Sequence, residues 1–363
     1  MSYKTILAIE TSCDETAAAV IEYGRICHAN VVASQIPLHQ RYGGVVPEIA
    51  ARAHVEQIFP VIEQALHQSF GPGEAQELLA KHIDALAVTV GPGLVGSLLV
   101  GVATAKTLSA TLNKPLIPVN HIMGHVYSNF LATSREIEVK SQKSKVKNDG
   151  YFFPFLSLIV SGGHTELILS RSHQDHQLIG QTRDDAAGEA FDKAAHLLGL
   201  AYPGGPAISA AAQNGDPSAF TLPRGLSKEE TLDFSFSGLK TALAQLILKL
   251  KADGKNITPL VPDLAASFQA AVVDSLVTKT FKAIEHTHVQ YLMLGGGVAA
   301  NTTLRSALEH KAKQQSITFS CPDLAFCTDN AAMVGAAAYA ASLVRGDFDW
   351  YDVEVKRNPG LTL

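Results

Sequence analysis

Short aliphatic and β-branched runs, each stopped by a glycine-rich or hydroxyl-rich turn, recur along the chain. Residues 5–9 (Thr-Ile-Leu-Ala-Ile) run into Glu10, Thr11, Ser12, Cys13, Asp14, Glu15 and Thr16, and residues 85–90 run into Gly91, Pro92 and Gly93. Residues 155–160 run into Ser161, Gly162, Gly163, His164 and Thr165, and residues 291–294 into Gly295, Gly296 and Gly297. Unbroken apolar runs bounded by turn residues predict buried strands, and an α/β fold places ligand sites at such strand ends. The first and third junctions share one device: a strand, a small polar turn, and an apolar return through 17–21 or 166–169. That echo predicts a duplicated, two-lobed α/β architecture. Helical spacing puts Asp185, Glu189 and Asp192 on one side of a helix, with Ala194, Leu197 and Leu198 continuing it inward. The alanine-rich stretch 331–341 has high helix propensity and small side chains suited to close packing.

The pattern divides the chain into an N-terminal lobe at 1–133, a polar insertion at 134–150, a C-terminal lobe at 151–326, and a segment at 327–363. That last segment is read as a C-terminal helix returning toward the N-terminal lobe, followed by a tail. The insertion carries Lys140, Lys143, Lys145 and Lys147 without aromatic residues or hydrophobic periodicity. It reads as a surface insertion, with RNA contact as the alternative.

At 363 residues, with 47% hydrophobic and 17% charged content, the chain is long enough for two cored domains. A formal net charge of -5 provides no overall basic field, so any RNA contact must be local or shared with a partner. Cys13, Cys27, Cys321 and Cys327 show no tight metal-type pairing and fit a reducing compartment as free thiols. No basic leader precedes the first strand, and no apolar run is long enough to span a bilayer. A cytoplasmic protein without a membrane segment is expected.

Chemistry enters with His121 and His125, whose spacing on a helical turn aims both imidazoles at one metal ion. The spacing matches a helical zinc protease, but Ile122 stands where the general-base Glu would be, so metal binding is supported without peptide hydrolysis. Two ordinary hydrogen-bonded histidines are the alternative. Asp329 precedes the alanine-rich helix, where it would cap the helix or ligate metal. The turns at 161–163 and 295–297 allow backbone N–H groups to approach a phosphate or nucleoside, although such glycines also serve ordinary turns. The carboxylates from Asp185 to Asp192 fit ribose hydroxyls or a solvated face. No P-loop and no opening Gly-x-Gly-x-x-Gly is present.

Eight motifs in one order resemble those of the tRNA threonylcarbamoyladenosine transferase family, the bacterial TsaD proteins. They are 9–16, 121–125, 160–165, 185–193, 202–206, 234–240, 295–301 and 328–330, and they span nearly the whole chain. The resemblance implies an actin-like, sugar-kinase-like (ASKHA) ATPase fold with a duplicated core. It implies an acyltransferase that moves a threonylcarbamoyl group from threonylcarbamoyl-AMP to N6 of the adenosine beside the anticodon. The tRNAs concerned read codons beginning with A, and AMP is released.

It further implies one divalent metal, Fe2+ or alternatively Zn2+, on His121, His125 and Asp329. Adenylate contacts are implied at Ile159, Val160, Ser161, Gly162, Gly163, Asp192, Gly205 and Asn301. At Ser209 many relatives carry an acidic residue that touches the ligand. Asp14 or Glu15 is a candidate acceptor for the amine proton. Implied partners are tRNA, a TsaB-like paralogue and a TsaE-like P-loop ATPase. A small-molecule kinase or ATPase of the same fold is the rival reading, and a nucleotide-binding scaffold is another.

Overall fold

The computed structural model describes residues 3–133, 151–346, 348–357 and 359–361; the insertion at 134–150 lies outside the described residues. The chain divides into two compact units. One comprises Met1–Phe153, Arg171–His176 and Pro322–Leu363, and the other Pro154–Ser170 and Gln177–Cys321.

The first unit is built on a six-stranded sheet of β1 (Thr5–Glu10), β2 (Glu15–Glu22), β3 (Ile26–Ser34), β4 (Ala85–Gly91), β5 (Leu116–Asn120) and β6 (Ala132–Thr133), in the order β5-β4-β1-β2-β3-β6. β1, β2 and β3 are antiparallel. Tyr23 and Gly24, both at positive φ, reverse the chain within two residues of β2. β4 pairs parallel with β1, and β5 with β4. Parallel pairing needs a crossover, supplied by α1 (Ile36–His39), α2 (Pro47–Phe70) and α3 (Ala75–His82) before β4, and by α4 (Val95–Leu112) before β5. The sheet is covered on both faces, which is why β1, β2 and β4 are continuously apolar rather than alternating. The alanine-rich helix, Ala331–Val344, packs on β1 and β2, and a Cβ at Gly335 would lie 2.5 Å from Ile21 Cγ1. Small residues there allow the close approach.

The second unit repeats the plan. β7 (Phe155–Val160), β8 (Thr165–Ser170), β9 (His176–Gln181), β10 (Tyr291–Gly295) and β11 (Thr318–Ser320) form a sheet in the order β11-β10-β7-β8-β9. This matches β5-β4-β1-β2-β3 strand for strand: an antiparallel β7–β8 hairpin, then β10 and β11 added in parallel. The duplicated core expected from the two strand-turn devices is borne out.

Three expectations change. Asp185 precedes the helix Ala187–Leu197, whose N-cap is Ala186, so the three carboxylates do not share a helical face. Asp185 and Glu189 share Lys193, at 2.7 and 2.8 Å, while Asp192 Oδ1 accepts the Gly204 N–H at 2.7 Å. Two helical segments, Val95–Leu112 and Thr258–Thr287, are long and apolar enough to cross a membrane by length and composition, contrary to the expectation that no run was. Part of their apolar surface serves core packing: α4 packs on α2 and β4 and buries Leu98 and Val102 while Val95 and Leu99 stay exposed, and the helix Val261–Thr287 buries Leu264, Phe268, Leu276 and Phe281. Finally, residues 151–153 and 171–176 group with the first unit. There Tyr151 and His173 pack against Tyr127, whose hydroxyl is 2.6 Å from His173 Nδ1, and Phe153 packs on His173.

Glu166, opposite Ile159 in the β7–β8 register, is raised by burial from 4.5 to about 7. The folded state therefore favours the protonated acid, and stability contributed at low pH is lost as pH rises from 4.5 through about 7. Glu166→Gln is expected to raise the melting temperature at pH 8 and leave it unchanged at pH 4. Equal shifts at both pH values in calorimetry would contradict this assignment.

Candidate functional site

α5 (His121–Tyr127) begins at the end of β5, with Asn120 as its N-cap. The Asn120 side chain accepts the Ile122 and Met123 N–H groups at 2.7 and 3.3 Å. The cap fixes the first turn, and the helical spacing then brings the two imidazoles together, with ring centroids 4.7 Å apart. Asp329 completes the cluster. Its Oδ1 lies 3.5 Å from His121 Nε2 and 3.2 Å from His125 Nε2, and one ligand atom from each residue falls within 4.8 Å of the others. The capping alternative for Asp329 is settled by its neighbour, since the Asn330 side chain caps the alanine-rich helix through the Met333 N–H at 3.0 Å.

The donor set fits a divalent cation. His121 Nδ1 is 3.2 Å from Glu10 Oε2, a carboxylate that can only accept, so Nδ1 carries the proton and the Nε2 lone pair faces Asp329. A lone pair opposite a carboxylate is repulsive unless a positive charge lies between them. Without a cation, Nε2 takes up a proton in its place: burial opposes a charged His121 ring, but Asp329 and Glu10 outweigh it and push the imidazole up to about 9. His125 is completely buried; its Nε2 lies 3.2 Å from Asp329 Oδ1, and its Nδ1 has no hydrogen-bond partner among the described residues. Buried polar atoms without partners need a ligand or ion. Two imidazoles and one carboxylate drawn this close could hold a metal ion. Glu10 and Ser12, whose Oγ is 3.2 Å from His121 Nδ1, were not singled out from the sequence as supports of this cluster. The sequence signal was a carboxylate at the end of a buried strand; Glu10 is fully buried and also accepts from Thr89 Oγ1 at 2.7 Å.

Asp14 lies on the β1–β2 turn of the same unit, and Glu15 opens β2. Burial, with Asp14 and Asp329 close by, raises the Glu15 carboxyl, and its Oε1 accepts from Ser34 Oγ at 3.3 Å.

In the second unit, the residues implied as adenylate contacts lie on a closed circuit of touching segments. Gly296 meets the Val160 backbone, and Gly188 at the start of Ala187–Leu197 meets Ser161 O and Gly162 Cα. Asp192 on that helix holds Gly204, the first residue of the helix Gly204–Ala212. Ser209 on this second helix accepts from Asn301 Nδ2 at 2.9 Å, and Asn301 follows the turn that begins at Gly296. Ile159 and Val160 are fully buried strand residues at the head of the circuit. Gln269, absent from the sequence reading, joins Ser209 to Asn301: its Oε1 accepts from both, at 2.9 and 2.8 Å.

Within the 161–164 turn, the Ser161 N–H is used internally, bonding His164 O at 2.8 Å, so it does not serve a ligand as the sequence had suggested. The Gly162 and Gly163 N–H groups make no hydrogen bond within the described residues. Neither glycine has positive φ, and a Cβ on either would meet nothing within 4 Å; the same holds for Gly205. The chain itself does not require glycine at these places.

A family model described as TsaD, tRNA N6-adenosine threonylcarbamoyltransferase, matches residues 27–336. Proteins named tRNA N6-adenosine threonylcarbamoyltransferase from Thermomicrobium roseum and Geobacillus kaustophilus are 50% and 49% identical to this chain. These matches cover 95% and 99% of it, and 94% and 96% of the relatives. The crystal structure of T. kodakarensis HypF covers 95% of this chain and 48% of its own, with a TM-score of 0.58 at 14% identity. This chain thus spans about half of HypF, and the likeness shows the fold alone, bearing out the actin-like, sugar-kinase-like architecture. Taken with the strand order and the ordered motifs, the sequence matches show that the chain belongs to the tRNA N6-adenosine threonylcarbamoyltransferase family.

Proposed function

We infer that this chain transfers the threonylcarbamoyl group of threonylcarbamoyl-AMP to N6 of the adenosine beside the anticodon in tRNAs reading codons that begin with A, with release of AMP. The observation that carries the reading is full-length similarity at about half identity to proteins of that name. The kinase and scaffold alternatives are not favoured by it. The His-His-Asp cluster adds a feature that a sugar kinase would leave unexplained.

We place one divalent metal on His121, His125 and Asp329, with Fe2+ preferred because two imidazoles and a carboxylate with open positions suit it, and Zn2+ as the alternative. When bound, the metal would supply Lewis acidity towards a carbonyl oxygen. The Gly162 and Gly163 N–H groups would hold phosphate, and Asp192, Gly205 and Asn301 the nucleoside. Asn301 Nδ2 already donates to Ser209 and Gln269, so a ligand hydroxyl would donate to Asn301 Oδ1. Ser209, in place of an acidic residue, would offer its Oγ only as an acceptor, because its hydroxyl donates to Gln269. An exocyclic adenine amine is a weak nucleophile and must lose a proton as the new C–N bond forms. Asp14 or Glu15 would take that proton, and the raised Glu15 carboxyl favours Asp14.

The test is mass spectrometry of tRNA nucleosides after incubation with threonylcarbamoyl-AMP and the partner proteins. Asp14→Asn is expected to lower turnover by about 10²–10⁴-fold, and Glu15→Gln by less. Full product from both variants would remove the acceptor role. Absence of modified adenosine with wild-type protein and all partners would overturn the transfer itself.

The proposed partners are tRNA, a TsaB-like paralogue and a TsaE-like P-loop ATPase, in the cytoplasm. Val55 and Phe59 on α2 and Leu99 on α4 form an exposed apolar face on two packed helices, which supports a helical partner surface. A paralogue of the same fold would present an equivalent helix pair. Phe59→Asp is expected to abolish co-elution with the paralogue while leaving the melting temperature unchanged; retained co-elution would move the interface elsewhere.

A further inference from the structure

We propose that His54 is a positioning residue for the turn that carries Asp14 and leads into Glu15, locked in one tautomer by a one-way chain of buried hydrogen bonds. His54 on α2 is completely buried, as are His39 and Thr16, and Gln35 is nearly so. None of the four is among the proposed metal ligands, adenylate contacts or proton acceptors.

The tautomers follow from what each partner can do. The Cys13 carbonyl can only accept, so His54 Nε2, 3.0 Å away, carries the proton. Nδ1 is then an acceptor and takes the Thr16 hydroxyl at 2.7 Å and Gln35 Nε2 at 3.4 Å. With its amide in that orientation, Gln35 also donates to Ala50 O at 3.3 Å and offers Oε1 to His39 Nε2 at 3.2 Å. His39 Nδ1 in turn accepts the Val46 N–H at 3.3 Å. Every link donates in one direction, from the Val46 backbone to the Cys13 carbonyl. Turning over any one member would set donor against donor or acceptor against acceptor. Burial lowers the His54 imidazole and keeps it neutral, as the chain requires. Aligned hydrogen bonds of this kind polarise one another in a dry interior.

The chain ends on the turn beside the metal cluster. Three successive carbonyls there are held from different elements. Ser12 O accepts the Leu94 N–H at 2.8 Å, Cys13 O accepts from His54 and from Ser97 Oγ at 3.3 Å, and Asp14 O accepts the Gln35 N–H at 3.0 Å. His54 thus fixes the peptide that precedes Asp14 without approaching the reacting atoms.

The inference rests on the proposed acceptor role of Asp14 or Glu15, and the experiment separates the two. His54→Phe keeps an aromatic ring but removes the donor, and His54→Gln restores an N–H within reach of Cys13 O. With full-length protein, partners and tRNA, His54→Phe is expected to lower kcat about 10- to 100-fold, with KM for threonylcarbamoyl-AMP and bound metal unchanged. His54→Gln should recover most of that loss. Thr16→Val, nearly identical in shape, should lower kcat less and replace the single Nε2–H signature of His54 in nitrogen-15 spectra by a mixture.

Wild-type kcat in His54→Phe, or a Gln variant as impaired as the Phe variant, would overturn the proposal. Should His54→Phe not fold, Thr16→Val decides: wild-type kcat with an unchanged tautomer signature also overturns it. If Asp14→Asn and Glu15→Gln both retain full transfer, the acceptor reading fails whatever His54 does. If either stops transfer while His54→Phe and Thr16→Val do not, this inference alone fails.

Discussion

His125→Ala protein is expected to purify without bound metal and to lose transfer by more than about 10²-fold, because it removes one of the three protein ligands proposed for the metal. His125 is the sharpest choice because, among the described residues, its Nδ1 has no hydrogen-bond partner and its Nε2 faces the Asp329 carboxylate. Its loss therefore tests the cation rather than a protein network. Glu10→Gln is the graded comparison. The amide keeps the shape but weakens the charge-assisted bond that orients His121 and turns its Nε2 toward Asp329. An outer partner of this kind is worth about 10–100-fold in metal affinity, so Glu10→Gln should bind metal weakly and recover transfer when metal is added in excess. Metal analysis and turnover on the same samples, with circular dichroism to confirm folding, provide the measurement. Normal transfer by metal-free His125→Ala protein would remove the metal from the mechanism.

The second large effect separates glycines that the chain needs from glycines a ligand needs. Gly162→Val places its Cβ in open space at ordinary φ, so the variant should keep the wild-type melting temperature. Its affinity for AMP should nonetheless fall more than about tenfold, a change of about 1.4 kcal/mol, because the branched side chain stands over the N–H groups proposed to hold phosphate. Gly188→Val should behave in the opposite way. There a Cβ would lie 2.5 Å from Ser161 O and 2.8 Å from Gly162 Cα, both backbone atoms that cannot move aside. Overpacking of this kind costs about 1–3 kcal/mol, so the variant should melt lower. Calorimetric melting and AMP titration of the two variants check the contrast. Unchanged AMP binding by Gly162→Val would take the phosphate away from this turn.

Much of the fold was legible because it was written in local patterns. The buried strands β1, β4, β7 and β10 are apolar runs ended by turn residues, and their bounds match the sequence reading to within a residue or so. The alanine-rich helix followed from propensity. Less legible was the acidic segment, where helical spacing suggested one face but Asp185 falls before the N-cap and pairs with Lys193 and Lys240 instead. Periodicity reports which residues share a side only if the helix already exists at each of them, and a helix start is decided by its cap and by what packs there.

The sequence by itself determined the strand-turn device and its repetition, the pairing of His121 with His125, and the glycines at 162 and 163, since each depends on residues a few positions apart. Only the tertiary structure decided that Asn330 rather than Asp329 caps its helix, and that Asp329 instead faces two imidazoles from a distant part of the chain. It also brought Glu10 to His121 across 111 positions and joined His54 to Cys13 across 41. Spacing along a chain constrains neighbours through fixed backbone geometry. Groups far apart in sequence meet only where strand order and helix packing bring them, and those are properties of the whole fold.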